Sequence, residues 1–200
     1  MDIRKDKRGF SLVELIIAMA IMAVFAGAII GGLSYINAGK TKKASAKLNN
    51  EITSIQTATM TKKGVTYLYI YRTSDGIFSS TGKATADTDG DGVPDGYKSR
   101  SDLDAALTAG KISQTKLCDS SVKITGSEAG ASATSLTESN MLKLGYSKGT
   151  GSFIYSNDGT VTSGKKMTEM PFYNKIELSG KEKFTIRLVK TTGKHFVTQN

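Results

Sequence analysis

From Leu15 to Gly39 the chain runs LIIAMAIMAVFAGAIIGGLSYINAG without one charged residue. That is enough for a helix that spans a bilayer, which needs about 20 apolar residues. Beyond it the apolar positions thin to a helical period. Leu48, Ile52, Ile55 and Thr59 recur at spacings of four, three and four, with Lys43, Lys47 and Glu51 elsewhere around the turn. Lys62 and Lys63 suit a helix C-terminus, and Gly64 suits a stop beyond it. The two patterns join without a break and predict one helix over 10–63, roughly 80 Å long at 1.5 Å per residue. A single domain cannot bury that length, so residues 10–39 are expected to protrude and only the second half to pack. Gly27, Gly31 and Gly32 lie in the apolar half. Each weakens a helix by about 0.8–1 kcal/mol relative to alanine, which makes this stretch the soft point of the rod.

After Gly64 the period shifts towards two. VTYLYIYR (65–72) is rich in β-branched and aromatic residues and reads as a strand. GSFIYS (151–156), KIELS (175–179), FTIRLV (184–189) and HFVTQ (195–199) follow, separated by the turn chemistry of NDGT, SGKEK and TTGK. They predict an antiparallel meander. Between them lie a short helix over 102–109 with Ser101 as its N-cap, and the tract TGSEAGASATSLTESN (125–140), which reads as an exposed loop. The fold class is α+β: a long N-terminal helix against an antiparallel sheet, in a globular part covering 40–200.

Composition narrows the chemistry. At 38% hydrophobic and 22% charged, the 200 residues form a globular protein rather than a disordered one. One cysteine, Cys118, forbids an intramolecular disulfide framework, and one histidine, His195, cannot build a metal cluster. Cys118 is expected as a small buried side chain and His195 as an ordinary residue of a terminal strand. No nucleophile–base set and no phosphate loop is present, so an enzyme is not expected. The net charge of +9 falls on two basic flanks around an acidic middle, without any nucleic-acid motif. That distribution suits a solvated surface, and no specific nucleic-acid partner is expected.

The apolar run begins with an anomaly. Glu14 sits at its front, in KRGFSLVEL (7–15). A lone acid within a membrane segment costs roughly 2.5–3.5 kcal/mol, so a use for it is expected. A secretory signal would supply the basic start but has an apolar core of only 7–15 residues. A plain anchor explains neither Glu14 nor the Gly9-Phe10 junction.

Short basic leader, Gly9, Phe10, a glutamate five residues into the chain that begins at Phe10, and a long apolar helix together resemble the class III leader of type IV pilins and pseudopilins. The resemblance implies that a prepilin peptidase cuts after Gly9, so that 1–9 is a leader and the new N-terminus at Phe10 is methylated. It also implies a membrane-stored precursor that joins identical or related subunits in an extracellular pilus or fimbrium. Such filaments serve adhesion, motility, secretion or DNA uptake. In that family the glutamate neutralises the N-terminus of a neighbouring subunit. The residues agree with this: a cut creates a cationic amine in apolar surroundings, costly unless paired, and Glu14 lies one helical turn from Phe10. The absence of a cysteine pair departs from pilins with a disulfide-closed C-terminal region.

A second pattern concerns metal. DTDGDGVPDGYK (87–98) puts Asp87, Asp89 and Asp91 at alternate positions, then Gly92 and Asp95. This is the opening of an EF-hand-like loop: side chains at positions one, three, five and nine, with the Val93 carbonyl at seven. Hard oxygen ligands select Ca2+, which is expected here as a structural cofactor. Lys98 stands where the pattern has a bidentate glutamate. Asp102 or Asp104 from the following helix is the expected substitute. The leading expectation is therefore a structural subunit of a type IV pilus-like filament. The alternative is a single-pass, membrane-anchored calcium-binding surface module that never polymerises.

Overall fold

A computed structural model describes residues 11–128, 132–158, 166 and 169–200. Helix α1 spans Leu12–Thr61 and passes through Gly31 and Gly32 without interruption. The chain divides into two compact units, Met1–Asn37 and Ala38–Asn200. In the first, every large apolar side chain from Leu12 to Ile29 is exposed, by 50–76%. Nothing among the described residues of that unit covers them.

In the second unit the apolar stripe is buried as its spacing predicts. Leu48, Ile52, Ile55 and Thr59 are each no more than 1% exposed. Lys43 and Lys47 face solvent. Thr59 is the polar end of the stripe and is satisfied locally, since its Oγ1 accepts the Thr66 N–H at 3.0 Å.

Two antiparallel five-stranded sheets complete this unit, where one was expected. The first has the order β3 (Gln114–Cys118), β2 (Gly76–Ala84), β1 (Val65–Thr73), β6 (Met141–Tyr146), β7 (Phe153–Asn157). The second has the order β10 (His195–Gln199), β9 (Lys183–Leu188), β8 (Lys175–Ser179), β4 (Lys123–Ser127), β5 (Thr134–Ser135). The expected meander is thus split. Strands β8, β9 and β10 form one, but β7 pairs with β6 in the other sheet. The tract 125–140 is not simply a loop either. Thr125 and Gly126 pair with β8 on one side and with Thr134–Ser135 on the other, and Leu136 is buried.

Strand β1 is central in its sheet and both its faces are covered, which explains its nearly continuous apolar sequence. Leu68 and Ile70 join the main core beneath α1 and the second sheet, with Leu144, Ile124, Ile176 and Ile186. Tyr67, Tyr69 and Tyr71 point to the opposite face, where Leu103, Met141 and Tyr155 complete a second cluster. Cys118 is buried and free, and His195 lies in the terminal strand, both as expected.

The second helix, α2 (Arg100–Thr108), covers part of the tyrosine face. Its N-cap is Ser99, not Ser101. The reason is the residue three positions on: Ser99 Oγ accepts the Asp102 N–H at 3.1 Å, and Asp102 Oδ2 accepts the Ser99 N–H at 3.1 Å. Two orphan amides are satisfied reciprocally, an arrangement Ser101 cannot make because Asp104 is engaged by Arg100 at 2.8 Å. Replacing Ser99 by alanine is expected to destabilise the domain by about 1 kcal/mol, and replacing Ser101 by less than half of that. Urea unfolding of the two variants side by side measures the difference.

Candidate functional site

Two places carry the candidate chemistry. The first is the connection between β2 and α2, which lies over the tyrosine face of the first sheet. Tyr67 donates its hydroxyl to the Pro94 carbonyl at 2.8 Å, and the Tyr97 N–H donates to the Tyr69 hydroxyl at 2.8 Å. Val93 and Tyr97 pack into the same aromatic cluster. Within this connection Asp87, Asp89 and Asp95 come together, each offering one oxygen no more than 4.8 Å from the others. Gly90 and Gly92 have φ of +73° and +84°, which L side chains rarely adopt, and their amides both donate to Asp87 at 2.8 Å. Those two donors, the Gly92 amide foremost, hold the Asp87 carboxyl below the usual range.

Asp91 stands outside the group of three. Its Oδ1 accepts the Val93 N–H at 2.9 Å, as Asp89 Oδ1 accepts the Asp91 N–H at 3.2 Å. Asp102 and Asp104, the expected substitutes at the twelfth position, are taken up by the helix cap and by Arg100. Lys98 does reach the cluster: its Nζ lies 3.2 Å from Asp95 Oδ2 and 2.6 Å from Thr88 Oγ1. Asp95 Oδ2 also accepts the Thr88 amide and hydroxyl. Burial alone would raise the Asp95 pKa, but these donors and the lysine charge outweigh it and keep the group ionised.

The second place is the start of α1. Ser11 and Glu14 form a reciprocal cap: Glu14 donates its N–H to Ser11 Oγ at 3.2 Å, and Glu14 Oε2 accepts the Ser11 N–H at 3.1 Å. The sequence carries a signal for it that the expectation for Glu14 did not use, a serine followed three residues later by a glutamate before an apolar run. Leu12–Ile29, directly behind, is long and apolar enough to cross a membrane. Residues 4–30 match the family described as the prokaryotic N-terminal methylation motif. The chain carries a prokaryotic N-terminal methylation motif. The match supports the type IV pilin and pseudopilin family, and it ends at residue 30, before the globular unit begins. No curated protein and no solved structure matches the chain.

Gly9 and Phe10 lie outside the described residues, so the described part of the motif is Ser11, Glu14 and the apolar helix. Glu14 therefore has a partner within its own chain. That local bond answers part of the anomaly, because a carboxylate held by the first amide of its own helix is less costly near a membrane than a bare one.

Proposed function

We propose that this chain is a non-enzymatic structural subunit of a type IV pilus-like filament. A prepilin peptidase would cut after Gly9, the amine of Phe10 would be methylated, and the apolar helix would pass from the membrane into the filament core. One observation carries the reading: the methylation motif at 4–30 opens into an uninterrupted apolar helix whose large side chains from Leu12 to Ile29 are all exposed. Leu12–Ile29 is apolar enough to cross a membrane, and the helix it belongs to is longer than the roughly 20 residues that a hydrocarbon core of about 30 Å requires. Such a surface is not stable in water. Lipid covers it in the stored precursor, and the helices of neighbouring subunits cover it after assembly. Glu14 then serves twice, capping its own helix in the precursor and pairing with the new amine of a neighbour's Phe10 in the filament.

Mass spectrometry of the protein from native membranes and from sheared surface filaments tests this. The expected result is an N-terminus at methylated Phe10 and the chain as a filament component. An intact Met1, with the protein confined to membranes, would establish the non-polymerising anchored module instead.

A further inference from the structure

We propose that Asp87, Asp89 and Asp95 hold one Ca2+ ion, which fixes the β2–α2 connection onto the tyrosine face of the first sheet. Three clustered carboxylates alone do not make a site, since acidic turns on protein surfaces are common. What distinguishes this one is Asp95. Its side chain is only 4% exposed, and its Oδ1 is buried without a hydrogen-bond partner. Every donor that reaches this carboxylate goes to Oδ2. A buried charged oxygen left without a donor costs more than the 1–3 kcal/mol typical of a neutral group, so the half-satisfied carboxylate calls for a cation on its other oxygen.

The donor set says which cation. All three side chains offer oxygen, which suits a hard divalent ion and not zinc or copper. Calcium binds oxygen at 2.3–2.6 Å, so ligands on opposite sides of it stand about 4.6–5.2 Å apart. The three oxygens lie within 4.8 Å of one another, close enough for one calcium ion to touch them all. The loop also has the pliability that calcium tolerates and magnesium does not, since Gly90 and Gly92 take the positive-φ positions of its curl.

Lys98 gives the site a particular character. Its ammonium shares Asp95 with the ion, from the Oδ2 side, and its charge opposes calcium in the place where a glutamate would assist it. The affinity is therefore expected at the weak, extracellular end of the range, about 10⁻⁴–10⁻³ M. Calcium would be a brace on the globular unit, independent of how the N-terminus is processed. It would hold the segment carrying Pro94 and Tyr97 against Tyr67 and Tyr69.

Titration calorimetry of the full-length chain in detergent micelles, stripped with chelator and titrated with calcium chloride alone, is the test. One saturable site and a thermal midpoint that rises with calcium are expected. Asp89→Asn and the exposed Asp87→Asn should each weaken binding by about tenfold or more, while Lys98→Glu should tighten it by a similar factor. Circular dichroism of Asp87→Asn, expected to be unchanged, separates lost binding from lost folding. No binding heat up to about 10 mM calcium, beyond the weak extracellular range, would overturn the site. Magnesium binding as tight as calcium would overturn the ion assignment, and Asp91→Asn costing as much as Asp89→Asn would overturn the ligand set.

Discussion

Glu14→Ala is expected to insert into the membrane and to be cut normally, yet to lower the yield of surface filaments by tenfold or more. Insertion should survive because the substitution removes a carboxylate that costs roughly 2.5–3.5 kcal/mol in an apolar segment. Assembly should suffer because the proposed processing would leave a cationic amine at Phe10 in a filament core of apolar helices. Breaking a buried ion pair by removing one partner costs about 3–5 kcal/mol, and each 1.4 kcal/mol is a factor of ten in an equilibrium constant. The Ser11–Glu14 cap offers a rival explanation, because alanine also removes the acceptor of the Ser11 N–H. A lost cap costs only about 1 kcal/mol. Two further variants separate the causes. Glu14→Gln keeps an acceptor for that N–H and loses only the charge, so it should fail as alanine does. Ser11→Ala removes the hydroxyl half of the cap, keeps the charge, and should assemble almost as wild type. Normal filaments from Glu14→Gln would show that the cap matters and the charge does not.

The parts of this protein that were legible in its sequence are those whose environment is set by near neighbours. The stripe Leu48, Ile52, Ile55 and Thr59 needs only a helix and one apolar partner surface, and all four are buried. Strand β1 was legible because both of its faces are covered and its sequence is apolar throughout. Strand β2, GIFSSTGKA, was not: Ser79 and Ser80 are buried because strands flank β2 on both sides, which no local pattern records. Ser80 finds the Tyr71 hydroxyl at 3.0 Å, a partner nine residues away on the next strand. Strand β6 hid in the same way, with a buried Lys143 in its middle and Gly145 where a Cβ would lie 2.4 Å from the Tyr67 ring. The splitting of the expected meander has a similar origin. Turn chemistry marks the end of β7 and does not show which sheet the next strand joins. At the loop, the alternation of Asp87, Asp89 and Asp91 was plain. That Asp87 and Asp89 come together with Asp95 depends on backbone detail that spacing does not encode.

Raising the pH from 7 to 9 is expected to stabilise the globular unit by about 2 kcal/mol, and Lys143→Met to abolish that gain. Lys143 is 1% exposed, and its ammonium lies 4.4 Å from the ring centre of Tyr67 and 4.7 Å from that of Tyr155. Burial pushes its pKa down to about 7, with the Asp95 charge pulling the other way. Cation–π contacts of this kind also favour the charged form, but at up to about 2 kcal/mol they do not outweigh the removal of an ammonium from water. The sign follows from proton counts. In the unfolded chain the lysine keeps its proton up to about pH 10.4, while the folded form releases it near 7. Between these values the unfolded state binds more protons, so stability climbs with pH at up to about 1.4 kcal/mol per pH unit and is flat below the folded value. The climb has a ceiling. Burial raises the pKa of Tyr67, Tyr69 and Tyr155 well above that of a free tyrosine. Above about pH 10 the unfolded chain therefore loses phenolic protons that the folded one retains, and stability falls again. Urea unfolding in chelator, at half-unit steps of pH, should trace a maximum between about 9 and 10 for the wild type. Lys143→Met should lose the climb and decline gently above about pH 8. There the unfolded Cys118 thiol gives up a proton that the folded one keeps, because burial pushes its pKa up to about 11. The variant should then fall more steeply as the untouched tyrosines come into play. A methionine variant that climbs as steeply as the wild type would remove the lysine from the account and place the titrating group elsewhere.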